Sequence, residues 1–410
     1  MKYNKGVNIL ALNCGSSSLK YKIIEMPRER ELVHGEAERV GIKTQALSVI
    51  THFCLDKKRV IEAPIPDHTS ALKKALQLIE DDEKERGDIG FGVFAHRYVH
   101  PGNSFSRTTK VSAPVLGRLR ETLPLAAIHN PVSYMLMEFC HKEYPRVAQY
   151  AVFDTVFHKT IPPAFATYAL PRNITKKYGI RKIGFHGISH RYVMEEACRF
   201  LNRDKFQQRI ISCHLGTGGS SICAVDRGRS VNNSMGFTPL EGLMMNTRCG
   251  DIDPGAVFYI MFKEKFSSGD AEDILNKKSG ILGVFDSSSD LREVIRGMGR
   301  DRMARMAFDM YVRRVKTYIA FYSLILKKSD ILVFTDSLGV GEPLLRESIS
   351  DGMDFLGIKL NRDVNAAYSG GIKDVSAKGS EARVLIIPAN EELMIAREAY
   401  REFSKDDNSR

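Results

Sequence analysis

Two predicted strands flank a glycine–serine turn in the stretch ILALNCGSSSLKYKI, residues 9–23. The apolar run at its start predicts a buried strand, and one glycine followed by three serines predicts a tight turn. After the turn, Leu19, Tyr21 and Ile23 alternate with polar residues, which is typical of a half-buried strand. Residues 7–25 are therefore predicted to form a hairpin.

The same pattern recurs about half a chain later, in the stretch IISCHLGTGGSSICAV, residues 210–225. An apolar run again enters a turn of glycines and serines and leaves it as an apolar strand. Recurrence of one supersecondary unit is a sign of internal duplication. We therefore predict a duplicated domain.

Helical spacing of apolar residues predicts helices over 70–85, 132–143, 191–202 and 301–327. In the longest of these, the predicted apolar face contains Met306, Met310, Val315, Ile319 and Tyr322.

Short buried strands are predicted at 331–334 and 384–387, and a last helix from about Glu391. The polar stretch 361–382 is predicted to be a surface excursion. Strands that alternate with helices indicate an α/β fold.

Charge and composition exclude several classes of function. The chain has 410 residues, enough for two or three domains, and a net charge of +11. The basic residues are scattered and form no run of five or more, so a nucleic-acid-binding patch is not indicated. The longest apolar run is too short to span a membrane. Residues 7–14 faintly resemble a lipoprotein signal, but the apolar segment is short and a buried first strand is the better prediction.

Seven cysteines are present, an odd number, and none form a CxxC pair. This argues against a disulfide framework and against a zinc site. Reduced thiols in the cytoplasm are the simplest account.

Known phosphate and nucleotide motifs are missing. There is no GxxxxGK[ST] loop, no set of protein-kinase motifs and no GxGxxG spacing. Polar segments instead follow strand-like runs at 13–18, 96–100, 185–190 and 247–255. Ligands collect at the carboxyl ends of strands in α/β folds. Taken alone, segment 13–18 is equally well a plain hairpin turn or a phosphate-binding loop.

Arginines stand in two of these segments. Arg97 lies between two histidines, and Arg248 lies in a loop punctuated by glycine and proline. Arginine binds carboxylate and phosphate through two parallel hydrogen bonds, and with His186 the pair suits a developing phosphoryl charge. The segments together favour chemistry on an anion.

Five motifs resemble those of the acetate kinase family from residue 8 to about 400. They are NCGSSSLK (13–20), GFHGISH (184–190), SMGFTPLEGLMM (234–245), TRCGDIDP (247–254) and ANEEL (389–393). The resemblance implies the duplicated fold of actin, sugar kinases and heat-shock ATPases, with a ribonuclease H-like βββαβα core in each half. It implies a first domain of residues 1–155 with 388–410, and a second of 156–387 that carries most of the nucleotide site.

The same resemblance implies roles in phosphoryl transfer from ATP to acetate. Arg97 and Arg248 would hold the carboxylate and the moving phosphoryl group. His186 would stabilise its equatorial oxygens, with His129 nearby, and Asp154 would help to position the acceptor. Such transfer depends on positioning and charge neutralisation.

Further roles follow for the metal, the substrate methyl group and the nucleotide. Asn13 and Glu391 would organise Mg²⁺, with Mn²⁺ as an alternative. The small apolar pocket for acetate would be formed by Val99, Ile128, Phe185 and Pro239. The residues implied for the phosphates and nucleotide are Ser16, Ser18, Lys20, His214, Gly216, Thr217, Gly218, Asp290, Leu291, Arg292, Ser337, Leu338, Gly339 and Gly341. The partners implied are acetate, a nucleotide and a second copy of the chain in a homodimer, without nucleic acid or membrane.

Departures from the family pattern lie mainly on the nucleotide side. Thr217 replaces the usual Asn, and HPG at 100–102 replaces His-Gly-Gly. In FTDSLGVGEP (334–343), Ser337 and Gly341 replace the first Gly and the Asn of a Gly-Ile-Gly-Glu-Asn loop, and Val340 replaces its Glu. Two interpretations stay open: tolerated drift, or a different phosphoryl donor such as pyrophosphate.

Substrate and function are left with alternatives as well. Val99 and Pro239 match an acetate pocket, and propionate is the second choice because one methylene changes discrimination by only about 1–3 kcal/mol. A non-catalytic or regulatory protein of the same fold is the alternative of another class.

Overall fold

The computed structural model describes residues 6–42 and 47–407 of the chain. The described residues form two compact units. The first unit belongs to Met1–Val156 and Asn390–Arg410, and the second is Phe157–Ala389.

The first unit is built on an eight-stranded mixed sheet. Its strands are β1 Val7–Cys14, β2 Ser18–Met26, β3 Arg30–Glu38, β4 Ser48–Cys54, β5 Lys57–Ala63, β6 Val93–Tyr98, β7 Thr109–Lys110 and β8 Ala148–Phe153. The spatial order is β5-β4-β3-β2-β1-β6-β8-β7. Neighbours from β5 to β1 pair antiparallel, β1, β6 and β8 pair parallel, and β7 pairs antiparallel with β8.

The second unit contains a six-stranded sheet of related design. Its strands are β9 Arg209–Leu215, β10 Ser220–Asp226, β11 Arg229–Asn233, β12 Ile331–Thr335, β13 Lys373–Asp374 and β14 Arg383–Ile386. Their order is β11-β10-β9-β12-β14-β13. The first three pair antiparallel, β9, β12 and β14 pair parallel, and β13 pairs antiparallel with β14.

Helices separate and cover these strands. They are α1 His68–Arg86, α2 Ala113–Arg120, α3 Asn130–Glu143, α4 Pro163–Ala166, α5 Arg172–Tyr178, α6 Gly187–Phe200, α7 Pro254–Glu264, α8 Ser268–Lys277, α9 Gly280–Phe285, α10 Leu291–Gly297, α11 Arg302–Leu326, α12 Asp336–Gly341, α13 Pro343–Ser350, α14 Arg362–Ala366 and α15 Glu391–Asp407. In the described part of the chain, no helix is both long and apolar enough to cross a bilayer.

The predicted duplication is confirmed by the sheet orders. Both sheets contain three antiparallel strands followed by two parallel ones, β3-β2-β1-β6-β8 in the first unit and β11-β10-β9-β12-β14 in the second. The two glycine–serine hairpins, β1–β2 and β9–β10, occupy equivalent places in this order. The fold is therefore α/β with a repeated ribonuclease H-like core.

Helix α11 corrects one prediction about which residues face the core. Val315, Ile319 and Tyr322 are fully buried as expected, but Met306 and Met310 are each 43% exposed. At 100° per residue, Met306 lies half a turn away from Val315. The buried face continues instead through smaller and aromatic residues, Ala304, Ala307, Phe308 and Tyr311.

The stretch 361–382 is less irregular than predicted. It contains α14 and β13, and Asn365, Val375 and Ala382 are almost completely buried. Asn361 caps the N-terminus of α14, where its side chain accepts a hydrogen bond from the backbone N–H of Val364. Most of the stretch lies on the surface, as predicted, and the three buried residues anchor it to the core.

Buried histidines make the fold sensitive to acid. Burial lowers the pKa of His96 to about 4, and it also lowers the pKa of His52. Burial, and then the nearby His158 and His214, hold the pKa of His190 well below its usual value. As the pH falls below about 6.5, these histidines take up protons in the unfolded chain but stay neutral in the folded protein. Protonation therefore favours the unfolded chain, and the free energy of unfolding decreases below this pH.

We expect the free energy of unfolding to fall between pH 7.5 and 5, and the variant His96→Gln to reduce this slope. One such group contributes at most about 1.4 kcal/mol per pH unit in the window between pH 6.5 and 4. Urea denaturation at pH 7.5, 6.5 and 5.5 measures the slope. Equal slopes for the parent protein and His96→Gln would contradict the assignment.

Candidate active site

Three polar side chains of the first unit lie at the carboxyl ends of its parallel strands. Asn13 is near the end of β1, Arg97 near the end of β6, and Asp154 directly follows β8. The parallel registers pair Leu12 with His96, and Arg97 with Val152. Strand direction therefore brings these side chains together.

Arg97 is held by both neighbours. Its Nη1 donates to Asn13 Oδ1 at 3.0 Å, and its Nη2 donates to Asp154 Oδ2 at 3.3 Å. Glu391 Oε2 lies 4.0 Å from Arg97 Nη1. Burial acts to lower the pKa of Arg97, but the carboxylates of Asp154 and Glu391 more than offset it and raise this pKa. Arg97 is therefore a fixed cation.

One donor of Arg97 is unused. Its Nε is buried and makes no hydrogen bond to any described residue. An unsatisfied buried donor on a guanidinium costs about 1–3 kcal/mol unless a ligand accepts from it. An anionic ligand would satisfy this atom.

Asn13 lies between two carboxylates at the start of α15. Its Nδ2 donates to Glu391 Oε2 at 2.9 Å and to Glu392 Oε1 at 2.8 Å. The predicted metal residues Asn13 and Glu391 are thus adjacent, and their oxygens are ligands that Mg²⁺ prefers. Among the described residues, no group of three or more His, Cys, Asp or Glu could hold a metal ion. Mg²⁺ in proteins is commonly held by one or two side-chain oxygens together with substrate phosphates and water, and Asn13 and Glu391 are a ligand set of that size.

In the second unit, His186 and Arg248 meet at the glycine-rich turn between β9 and β10. A Cβ placed on Gly219 would lie 3.3 Å from Arg248 Nη1 and 3.5 Å from His186 Cε1. A side chain at position 219 would therefore contact both Arg248 and His186.

Arg248 is a half-buried cation with no acidic partner among the residues that the structure describes. Its one side-chain contact of hydrogen-bond type runs from Nη1 to Met245 Sδ at 3.7 Å. Burial lowers the pKa of Arg248. A cation held out of water without a counter-ion is unfavourable, so this guanidinium is prepared for an anion.

Backbone and side-chain bonds hold the loop of Arg248. The backbone N–H of Met245 donates to the carbonyl of Arg248 at 3.0 Å. Arg314 Nη1 donates to the carbonyl of Gly242 at 2.8 Å, and Tyr318 Oη donates to Asp251 Oδ2 at 2.7 Å. The loop is therefore rigid where the arginine leaves it.

His186 has an unusual backbone for a non-glycine residue. Its φ is 57° and its ψ is 29°, in the left-handed region, at the N-cap position that precedes α6. Its Nδ1 is 2.9 Å from Ser221 Oγ, and its ring lies 4.2 Å, centroid to centroid, from that of His214. Left-handed non-glycine residues cluster at functional sites.

The predicted nucleotide residues of the second unit fall into two groups. The loop at Gly216, Thr217 and Gly218 contacts α12, because the backbone N–H of Thr217 donates to Ser337 Oγ at 3.2 Å. Asp290 caps α10 and pairs with Arg292 at 2.6 Å.

Leu291 and Leu338 differ from the rest of this set, because both are fully buried. They belong to the core cluster of the second unit. Gly339 is buried as well, whereas Gly341 is exposed.

The predicted apolar pocket residues differ in exposure. Val99 and Phe185 are buried, at 5% and 4%, and Pro239 is half-buried. Ile128 is 63% exposed, in the segment before α3. His129, the next residue, is half-buried at the N-terminus of α3.

The turn after β1 is exposed and polar. Ser16 is exposed and Ser18 is half-buried, and the backbone N–H of Gly15 donates to the carbonyl of Ser18 at 2.9 Å. Lys20 lies 3.7 Å from Glu36 on the neighbouring strand. The hydroxyl groups of this turn are accessible to a ligand.

Three residues at these sites were not singled out from the sequence. Glu392 binds Asn13, Ser221 binds His186, and Asp336 Oδ2 lies 3.1 Å from His214 Nε2. All three stand within the sequence motifs described above, yet a motif does not reveal which of its side chains turns toward the site.

Comparisons with known proteins agree over nearly the whole chain. The model of the acetokinase family matches residues 8–397. The acetate kinase of Heliobacterium modesticaldum is 43% identical over 398 residues, covering 96% of this chain and 98% of that protein. The crystal structure of Porphyromonas gingivalis acetate kinase superposes with a TM-score of 0.87 at 38% identity, covering 96% and 98% of the two chains. A propionate kinase from Francisella tularensis gives 0.86 at 35% identity, with the same coverage.

Proposed function

The chain belongs to the acetokinase family, a family of kinases that transfer phosphate to a carboxylate, and from this premise we propose that it converts acetate and ATP into acetyl phosphate and ADP. The observation that carries the proposal is Arg248, a half-buried guanidinium without an acidic partner in the described structure. The spare Nε of Arg97 supports it.

The reaction needs charge neutralisation more than proton transfer. Carboxylic acids ionise near pH 4, so acetate is already the nucleophile at neutral pH. Its oxygen bonds to the γ-phosphorus as the bond to the oxygen of ADP breaks. We assign the carboxylate and the phosphoryl oxygens to Arg97 and Arg248, and assign further phosphoryl oxygens to His186. Asp154 acts by fixing Arg97, with which it pairs at 3.3 Å.

Mg²⁺, with Mn²⁺ as an alternative, is assigned to Asn13 and Glu391. When bound, the ion would neutralise charge on the phosphates. Glu392 accepts a hydrogen bond from Asn13 and helps to set the position of its amide. Cytoplasmic location is supported by the seven cysteines, all of which are free thiols.

Acetate is the proposed acceptor, and propionate is the second choice. Comparison of kcat/KM for acetate, propionate and butyrate tests the pocket assignment, and a clear preference for butyrate would overturn it.

The variant Arg248→Met is expected to lower kcat/KM for acetyl phosphate formation by about 10²–10³, because it removes a preorganised cation from the phosphoryl group. Its free energy of unfolding should be unchanged or higher, since a poorly compensated buried charge is lost. Steady-state kinetics and urea denaturation measure the two effects. Arg305→Met, at an exposed arginine of α11, is the matched control. Full activity in Arg248→Met would refute the role assigned to Arg248, whereas a parent protein that forms no acetyl phosphate would favour a non-catalytic protein of the same fold.

A different phosphoryl donor is the second candidate, and the contact between Thr217 and Ser337 favours it. The contact occupies the backbone N–H of Thr217, which belongs to the loop predicted to bind phosphate. Its acceptor is the side chain of Ser337, at a position where the family pattern has glycine. Pyrophosphate would need less of this surface than ATP.

Ser337→Gly is expected to lower the KM for ATP several-fold and to leave the KM for acetate unchanged, because it frees the Thr217 N–H. Activity with ATP, GTP and pyrophosphate is measured on both proteins. Ser287→Gly, at an exposed serine of the loop after α9, is the control. Stronger activity with pyrophosphate than with ATP in the parent protein would make pyrophosphate the donor.

We further propose a homodimer that is formed through α7. None of the eleven residues of this helix is buried, and Phe258, Tyr259 and Phe262 are 69%, 63% and 80% exposed. A helix that is apolar on all sides is normally covered, and an exposed apolar patch marks an interface. A second copy of the same surface satisfies this need through two-fold symmetry.

The double variant Phe258→Ser with Phe262→Ser should weaken the dimer at least about tenfold, because aromatic residues dominate interface energies. Light scattering after size-exclusion chromatography measures the mass over a dilution series. Phe355→Ser removes an equally exposed phenylalanine outside α7 and should have no effect. A monomeric parent protein would refute the assignment.

A further inference from the structure

We propose that Asp336 is a positioning residue for phosphoryl transfer, and that it acts through His214 on the ring of His186. The inference rests on the proposed function for the role of His186, and on the geometry of the second unit for everything else.

His214 is held at both ring nitrogens. Its Nε2 is 3.1 Å from Asp336 Oδ2, and its Nδ1 is 2.8 Å from Ser189 Oγ. The side chain of His214 is only 7% exposed. An ionised carboxylate can only accept a hydrogen bond, so the hydrogen of a neutral His214 ring lies on Nε2, and Nδ1 accepts from the Ser189 hydroxyl.

The fixed ring of His214 supports His186. The two rings are 4.2 Å apart with 32° between their planes. The Nδ1 atom of His186 lies 2.9 Å from Ser221 Oγ, and the same hydroxyl oxygen lies 2.8 Å from His190 Nε2. Ser221 thus fixes one edge of the His186 ring, and His214 supports its face. Loss of Asp336 would release that face.

Backbone strain marks the two ends of this chain of contacts. Asp336 has φ of 64° and His186 has φ of 57°. For residues other than glycine, such a backbone costs of order 1 kcal/mol or more and persists only where the surroundings enforce it. The two strained residues contact the same imidazole, that of His214.

Gly216 makes room for the carboxylate. A Cβ at this position would lie 1.9 Å from Asp336 Oδ2, closer than any two such atoms can approach. The close approach of Asp336 to the end of β9 therefore depends on a glycine in the turn. The arrangement requires three specific residues, Gly216, His214 and Asp336.

Two variants separate the side chain from the backbone. Asp336→Asn keeps an acceptor but removes the charge, and Asp336→Gly removes the side chain at a φ that glycine adopts without strain. We expect kcat to fall at least about tenfold in Asp336→Gly and less in Asp336→Asn, because a misplaced catalytic ring loses its alignment. The KM for acetate should stay within about twofold, and the thermal midpoint of Asp336→Gly should be unchanged or higher.

Asp286→Gly is the matched control. Asp286 is an exposed aspartate of the same unit with φ of 56°. The same substitution at the same kind of backbone should leave kcat unchanged.

A double-mutant cycle shows whether Asp336 acts through His186. In the background His186→Ala, the further change Asp336→Gly should cause little additional loss of kcat. The proposal would be overturned by additive losses of kcat in the double variant. It would also be overturned by an unchanged kcat in Asp336→Gly and Asp336→Asn, or by a change in these two variants that is confined to the KM for the nucleotide.

Histidine nitrogen NMR tests the geometry independently of activity. The NMR signals of His214 are identified by their loss in His214→Gln. In the parent protein, these signals should show the ring hydrogen on Nε2. In Asp336→Gly the His214 and His186 signals should both shift, whereas Asp286→Gly should shift neither. If the parent protein forms no acetyl phosphate, the proposed function fails while this readout still decides the contact. Unchanged His186 signals in Asp336→Gly would refute the coupling.

Discussion

Parallel pairing of strands is the constraint on which the candidate functional residues of each unit depend. In the first unit, β1, β6 and β8 run in one direction, so Asn13, Arg97 and Asp154 reach the same edge of the sheet. In the second unit, β9 and β12 do the same for His214 and Asp336. Such edges collect ligands because each strand ends there and its next residue leaves the hydrogen-bonded ladder. The repeated strand order thus builds two polar edges from one design.

Sequence patterns predicted the hairpins, the duplicated α/β order and the long helices, because apolar periodicity survives in elements that cross a core. They also indicated the loops of Arg97, His186 and Arg248, since polar residues follow the strands there. The predicted face of α11 was wrong for Met306 and Met310. Periodicity counts methionine as apolar whether it is buried or exposed. Packing determines which face of α11 is buried, and alanine and aromatic residues occupy that face here.

Side-chain partners could not be predicted in the same way. Glu391 and Glu392 are consecutive acidic residues, and the sequence does not say that both carboxylates reach Asn13. The contact of Asp336 with His214 joins residues separated by more than a hundred positions and depends on a left-handed backbone at a non-glycine residue. Helix α7 is rich in apolar residues, yet none of its residues is buried in the described structure. These features arise from tertiary geometry, which local periodicity does not encode.

The placement of α15 has a consequence for biosynthesis. This helix packs against β1 and β2, and its Arg397 pairs with Glu29 at 2.7 Å, although it follows the whole second unit in the chain. At roughly 5–20 residues per second, the ribosome completes the second unit before the residues that cover β1 exist. The second unit is continuous in sequence, so its translation is complete before that of the first unit. The first unit is begun earlier, but its sheet lacks α15 until the end of translation. The Glu391 and Glu392 carboxylates are added only with this last helix.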